Sequence, residues 1–171
     1  MVLLKAQRLQ RLAEKLGRIE SRLARASGEV EEAEAGEAGT AEAGADAAAG
    51  GEAAAAEPEA ELEEAAARAG VELETLRRLD GATLERALSP GGRPDPGRFW
   101  AAAELLYLDA VRARAEGQAD LARRSLQKAR RLYRRADDGL DLPEGATPPA
   151  ERLAAIEELK GERGDAGPEE P

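Results

Sequence analysis

All four aromatic residues of this chain, Phe99, Trp100, Tyr107 and Tyr133, fall in one stretch that reads as two consecutive helices parted at Gly117. Aromatic side chains bring the largest burial per residue, so the hydrophobic core must be organised around this helix pair. Burying all four fully contributes about 6–12 kcal/mol, at about 1.5–3 kcal/mol each, an upper bound comparable to the net stability of a small domain. Asp95 followed by Pro96 marks the start of the first helix, with a side-chain acceptor at the N-cap and a fixed φ at the first helical position. Phe99, Ala103, Leu106, Ala110 and Ala113 then form one stripe, broadened by Trp100, Tyr107 and Val111, until Glu116 and Gly117 turn the chain. The second helix repeats the spacing with Leu121, Ala122, Leu126, Ala129, Leu132, Tyr133 and Ala136.

Leu9, Leu12, Leu16, Ile19, Leu23 and Ala26 recur at alternating spacings of three and four, which places one apolar stripe along a helix over 2–26. The same spacing is a coiled-coil seam: with Leu9, Leu16 and Leu23 at position a, Lys15 faces Glu20 of a parallel partner helix. Leu9, Leu12, Leu16, Ile19 and Leu23 are therefore candidate partner-binding residues, with packing onto the chain's own helices as the competing reading. The opposite face, with Lys5, Arg8, Arg11, Lys15, Arg18, Arg22 and Arg25, also permits contact with a membrane surface, although the stripe lacks aromatic anchors. Downstream, residues 29–57 are chiefly Ala, Gly and Glu, with no apolar side chain larger than Ala after Val30. Such a segment cannot offset about 1–2 kcal/mol of backbone entropy per residue, and a disordered acidic linker is expected. The net charge of −10 is concentrated there: residues 1–28 sum to +5, 29–69 to −12 and 70–171 to −3.

Pro58 suits the first turn of a further helix, with Glu59, Glu61, Glu63 and Glu64 against the positive end of its dipole and Gly70 at its close. Val71, Leu73, Leu76 and Leu79 mark a short helix, and Leu84, Ala87 and Leu88 another that Ser89 and Pro90 end. Thr147 as N-cap and Pro148 at the first helical position begin a last helix through Leu153, Ile156 and Leu159. The expected architecture is all-α: an amphipathic, coiled-coil-like helix over 1–28, a disordered linker over 29–57, a helical domain over 58–160 built on the hairpin 96–136, and a disordered tail over 161–171.

The chain contains neither cysteine nor histidine. That removes disulfides, thiolate nucleophiles, imidazole acid-base catalysis and every usual zinc constellation together. Gly91-Gly92 lacks the Gly-Lys-Ser/Thr context of a phosphate loop, and no serine or threonine has a nearby candidate base. Tyr107 and Tyr133 read as core residues whose hydroxyls reach water. No catalytic residue, cofactor or metal ligand is expected, and the chain reads as a non-enzyme. No apolar run approaches membrane-spanning length, and a cytoplasmic location is expected.

Two surfaces carry charge in a pattern. The second helix of the aromatic pair bears Arg123, Arg124, Lys128, Arg130, Arg131, Arg134 and Arg135 against the single acid Asp120. Arg124, Lys128, Arg131 and Arg135 are taken as candidate partner-binding residues on this face. Residues 62–79 present a rival: Ala66, Gly70, Val71, Thr75, Leu76 and Leu79 match the small-residue and glycine spacing of a DNA-binding helix-turn-helix, with Thr75, Arg77 and Arg78 on the recognition helix. Glu61, Glu63, Glu64, Glu72 and Glu74 surround that motif and oppose contact with phosphates, so nucleic acid is an unfavoured partner.

Gly117, Ala122, Leu126 and Ala129, with Leu106 and Ala110 upstream, resemble the turn glycine and packing positions of a tetratricopeptide repeat. Asp109 and Ala113 depart from that pattern, and a single unit is present. The wider order resembles a functionally uncharacterised bacterial family of small all-helical, tetratricopeptide-like proteins. It consists of a leucine-rich first helix, the segment GVELETLRRLDGATLERAL, a Gly-rich loop and WAAAELLYLDAVRARAEGQADLARRSLQKARRLYRRA. The resemblance implies no activity. The expected role is a protein-interaction or self-association module acting through helices, with a helix-turn-helix DNA-binding regulator as the alternative.

Overall fold

The computed structural model describes residues 2–34, 50–136 and 140–161, with side chains over 6–26, 58–136 and 140–159. Among these residues every regular element is a helix: α1 (Val2–Glu34), α2 (Gly50–Ala69), α3 (Leu73–Arg78), α4 (Gly81–Ala87), α5 (Pro96–Ala115), α6 (Ala119–Ala136) and α7 (Pro149–Gly161), with a 3-10 turn at Pro90–Gly92. The central element is α5, which packs along α6 and also against α1, α2 and α3. Every residue from Phe99 to Ala110 is buried. A helix covered on all sides is the axis of its fold, and the other helices are layers around it.

Local chemistry sets the ends of α5. The Asp95 side chain accepts from the Arg98 amide at 3.3 Å. At the far end Gly117 takes φ 74°. Its amide donates to the Arg114 carbonyl at 3.1 Å, and the Gln118 amide donates to the Ala113 carbonyl at 2.7 Å. This pair of bonds is the Schellman closure, and its left-handed residue favours glycine. Gly97 answers a different need: a Cβ there would stand 3.2 Å from Leu9 Cδ1, so α1 crosses the first turn of α5 where no side chain intervenes. Asp80 caps α4, accepting from the Ala82 and Thr83 amides at 3.0 Å each and from the Thr83 hydroxyl at 2.6 Å. The Thr83 hydroxyl, foremost, and these amides hold its carboxyl below the usual aspartate range.

The apolar stripe of α1 closes onto its own chain. Leu12, Leu16, Ile19 and Leu23 are buried in the cluster that contains Trp100, Leu106 and Tyr133, and Leu9 packs at its margin. The two charges that a coiled coil would pair across a dimer are both used internally: Lys15 pairs with Glu64 of α2, and Glu20 with Arg152 of α7. Helix α1 extends to Glu34, and α2 begins at Gly50. Pro58 therefore sits inside α2 and not in its first turn, because the alanines at 53–56 propagate helix upstream of it. Helix thus enters both ends of the expected linker, while residues 35–49 of it, and residues 162–171 of the expected tail, lie outside the described residues. Helix α7 starts at Pro149. The Thr147 carbonyl accepts from Trp100 Nε1 at 3.2 Å.

Ile19 is 1 % exposed, and its truncation tests the internal docking of α1. Ile19→Ala is expected to lower unfolding free energy by about 2–5 kcal/mol in urea titrations, with no change of sedimentation mass. Asp80→Ala tests the α4 cap. A depressed aspartate contributes stability that is present above its unfolded pKa and is lost as pH falls through its lower folded value. The melting-temperature gap between the parent chain and Asp80→Ala is accordingly expected at neutral pH and to close in the acid range below the ordinary aspartate pKa.

Candidate functional site

Glu104 and Asp109 lie in the fully enclosed part of α5, at 2 % and 0 % exposure. A carboxylate removed from water needs a full set of donors, and each of these draws its principal donor from a helix distant in sequence. Around Glu104 the principal donor is Arg152 of α7. Its Nε and Nη2 donate to Glu104 Oε1 and Oε2, both at 3.0 Å. Its Nη1 and Nη2 donate to Glu20 Oε1 and Oε2 of α1 at 2.6 and 2.7 Å. Tyr133 of α6 donates its hydroxyl to Glu104 Oε1 at 2.8 Å. The guanidinium lies over the Tyr107 ring, 4.5 Å from its centroid, in cation–π geometry.

Both oxygens of Glu104 accept, which is the pattern of an ionised carboxylate. Burial pushes its carboxyl up, and the Arg152 guanidinium and Tyr133 hydroxyl oppose that push. Burial likewise pushes the Tyr133 phenol well up, and the neighbouring Glu104 adds to it, so Tyr133 serves as a donor. For Arg152 burial works against the charge, but Glu20 and Glu104 outweigh it and raise the guanidinium above its ordinary value. The Tyr133 hydroxyl therefore does not reach water as the sequence reading expects. Its ring is surrounded, and a buried carboxylate takes the place of solvent.

The second cluster is built around Asp109. Arg77 of α3 donates from Nε and Nη2 to Asp109 Oδ2 and Oδ1 at 3.1 and 2.6 Å. Arg112 Nη2 adds a bond to Oδ1 at 3.2 Å, and Ser125 Oγ of α6 one to Oδ2 at 3.4 Å. Arg77 Nη1 also meets Glu59 of α2 at 3.0 Å, and Arg112 Nη1 bridges both Glu116 oxygens at 2.8 and 2.7 Å. The Asp109 hydrogen bond foremost holds the Arg77 guanidinium above its ordinary value against the effect of burial.

These contacts redistribute the residues singled out in the sequence. Of the helix-turn-helix set, Arg77 points into the fold, while Thr75 and Arg78 are exposed and Thr75 donates to Glu72 at 3.0 Å. Helix α3 has six residues, so the surface it offers is under two turns. On α6, Lys128 Nζ donates to the Leu76 and Arg77 carbonyls at 3.1 and 2.5 Å, closing the C-terminal end of α3. Burial, chiefly, pushes Lys128 below the usual lysine range, and the Arg124 charge adds to it. Arg131 and Arg135 both meet Glu85 of α4, and Arg130 meets Glu157 of α7 at 2.9 Å. Arg123, Arg124, Arg131, Arg134 and Arg135 remain exposed. The structure thus brings α6 cations together on an outer face but separates them from the α1 stripe, which is internal.

Glu104, Asp109, Arg112 and Arg152 were not singled out as site residues. Asp109 carried a signal, since it stands where the hairpin pattern wants an apolar side chain. Glu104 carried a weaker one, flanked at helical spacing by Trp100 and Tyr107. Among the described residues no group of carboxylates is placed to hold a metal ion, and no helix is long and apolar enough to cross a membrane. A cleft of about 710 Å³ lies between α4, the 3-10 turn and α6, lined by Glu85, Arg86, Ser89, Arg131 and Arg135. A smaller groove of about 280 Å³ is floored by Ala122, Leu126 and Leu159, with Arg114 and Arg123 at its rim.

Asp109→Asn keeps the shape of the second cluster and removes the charge that Arg77 and Arg112 share. A loss of about 3–5 kcal/mol in unfolding free energy is expected by urea titration, since two guanidiniums lose the buried charge they share and keep only the more exposed Glu59 and Glu116. Combining Arg77→Met with Asp109→Leu is expected to recover part of it. A loss below about 1 kcal/mol for Asp109→Asn, typical of an exposed pair, would contradict this account.

No family model, curated protein or solved structure matches this chain.

Proposed function

We propose that this protein is a non-enzymatic helical interaction module, acting in the cytoplasm, that presents the outer face of α6 to an acidic segment of a partner protein. The observation that carries the reading is the division of α6 into two faces. Ala122, Leu126, Ala129, Leu132, Tyr133 and Ala136 are buried, while Arg123, Arg124, Arg131, Arg134 and Arg135 are exposed on the other side. An arginine-rich face with little acid of its own attracts anions and speeds their encounter. The likeness of α5 and α6 to a tetratricopeptide hairpin supports the same reading, because such hairpins serve as scaffolds for binding extended or helical segments.

Two alternatives have less support. Self-association through the α1 stripe would have to expose Leu12, Leu16, Ile19 and Leu23, which are between 1 % and 5 % exposed. The helix-turn-helix reading loses Arg77 to Asp109 and Glu59.

Binding of the full chain to poly-L-glutamate, followed by fluorescence anisotropy at low salt, tests the proposal. Charge reversal in the double variant Arg124→Glu/Arg134→Glu is expected to weaken binding about tenfold, on the scale of a few exposed ion pairs. Unchanged affinity in that variant would sink the proposal. Duplex DNA bound more tightly than poly-L-glutamate, and lost in Arg78→Ala, would favour the regulator instead.

A further inference from the structure

We propose that Glu20, Glu104, Tyr107 and Tyr133 form a guanidinium-binding site that α7 fills in cis through Arg152, and that the ligand class of this site is an arginine side chain carried on a helix. The walls of the site belong to α1, α5 and α6, which pack against one another through α5 and do not need α7 to meet. Helix α7 rests mainly on α6. Of its described side chains only Pro149, Arg152 and Ile156 are buried, so Arg152 is its one deep polar insertion.

The chemistry selects a guanidinium over other cations. Two carboxylates each receive a bidentate pair from one planar group, at 2.6–2.7 Å for Glu20 and 3.0 Å for Glu104. The Tyr107 ring face closes the plane from one side, 4.5 Å from the guanidinium carbon. An ammonium is a point charge with no fixed fork and cannot reproduce that geometry. Tyr133 donates to Glu104 from the interior, which orients the carboxylate with or without Arg152.

The site also has an entrance. The Glu20 side chain is 40 % exposed and that of Glu104 only 3 %, so the pocket opens toward solvent on the Glu20 side. Withdrawal of Arg152 would leave the buried Glu104 carboxylate with Tyr133 as its remaining donor among the contacts above. A carboxylate in that state draws strongly on any guanidinium that reaches it. Helix α7 is then the built-in competitor for an arginine-bearing helix of a partner. This site is distinct from the outer face of α6, so failure of either reading leaves the other standing.

The test is chemical rescue in the full chain. Arg152→Ala is expected to melt below the parent, and low-millimolar guanidinium chloride to raise its melting temperature. Methylammonium chloride at equal ionic strength is expected to have no such effect on the variant, and guanidinium is expected not to raise the parent. A labelled peptide spanning residues 147–161 is expected to bind the Arg152→Ala chain at least about tenfold more tightly than the same peptide with alanine at its arginine, the ratio read from anisotropy. If Arg152→Ala does not fold without guanidinium, recovery of its helical circular dichroism on adding guanidinium supports the site, and Arg152→Lys replaces it for the peptide comparison. Guanidinium that fails to restore Arg152→Ala, or lowers its melting in parallel with the parent, overturns the site. Equal binding of the two peptides overturns a helix-borne arginine as its ligand.

Discussion

Two carboxylates on a helix with no solvent-facing side over twelve residues set the conditions for the rest of this fold. Glu104 and Asp109 cannot be hydrated where they stand, so their charge must be answered by cations from elsewhere in the chain. Arg152 of α7 and Arg77 of α3 answer it, each bringing its own helix into place in doing so, and Arg112 of α5 itself adds to the second. Desolvation of the charges takes back much of the attraction between them, so the clusters add little stability over apolar side chains of the same shape. Their effect is on arrangement: a packing that fails to deliver an arginine to either site is strongly penalised.

That penalty matters because α5 is otherwise smooth. Its buried surface is largely alanine and leucine, and neighbouring helices could settle on such a surface in several rotations with similar contact area. Glu104 and Asp109 are five residues apart, which separates them by about 140° around an α-helix. One cluster reaches α1, α6 and α7, the other α2, α3 and α6. Two anchors on different sides leave α5 a single rotational setting. Gly97 adds a steric restriction on its first turn, where Leu9 passes close to the backbone.

Much of the helix layout was legible in the residues alone. The stripes of α5 and α6, the Asp95 cap and the Gly117 turn are local signals, and local signals are visible in a sequence. The direction in which α1 spends its leucines was not, because a three-and-four spacing is the same whether the seam faces a second chain or the chain's own core. In this fold the partners of Lys15 and Glu20 lie on α2 and α7. The interior charges were hidden for a related reason: a glutamate in a helix has the same local pattern on a wet face as on a dry one. Only the knowledge that α5 is enclosed turns Glu104 into an exceptional residue. On α6 the run of cations was evident, but their division was not: Lys128 closes the end of α3, Arg131 and Arg135 share Glu85, and Arg123, Arg124 and Arg134 face outward.

The bond from Arg152 to Glu20 spans 132 positions of the chain. During synthesis the first helix, the aromatic hairpin and the Glu104 carboxylate are all made before the residue that neutralises that carboxylate. The emerging chain can collect its apolar surfaces early, but its interior carries an unanswered negative charge until the seventh helix arrives. Completion of the native state thus waits for α7, and that helix acts as the closing step of assembly for a core whose other parts precede it in the chain.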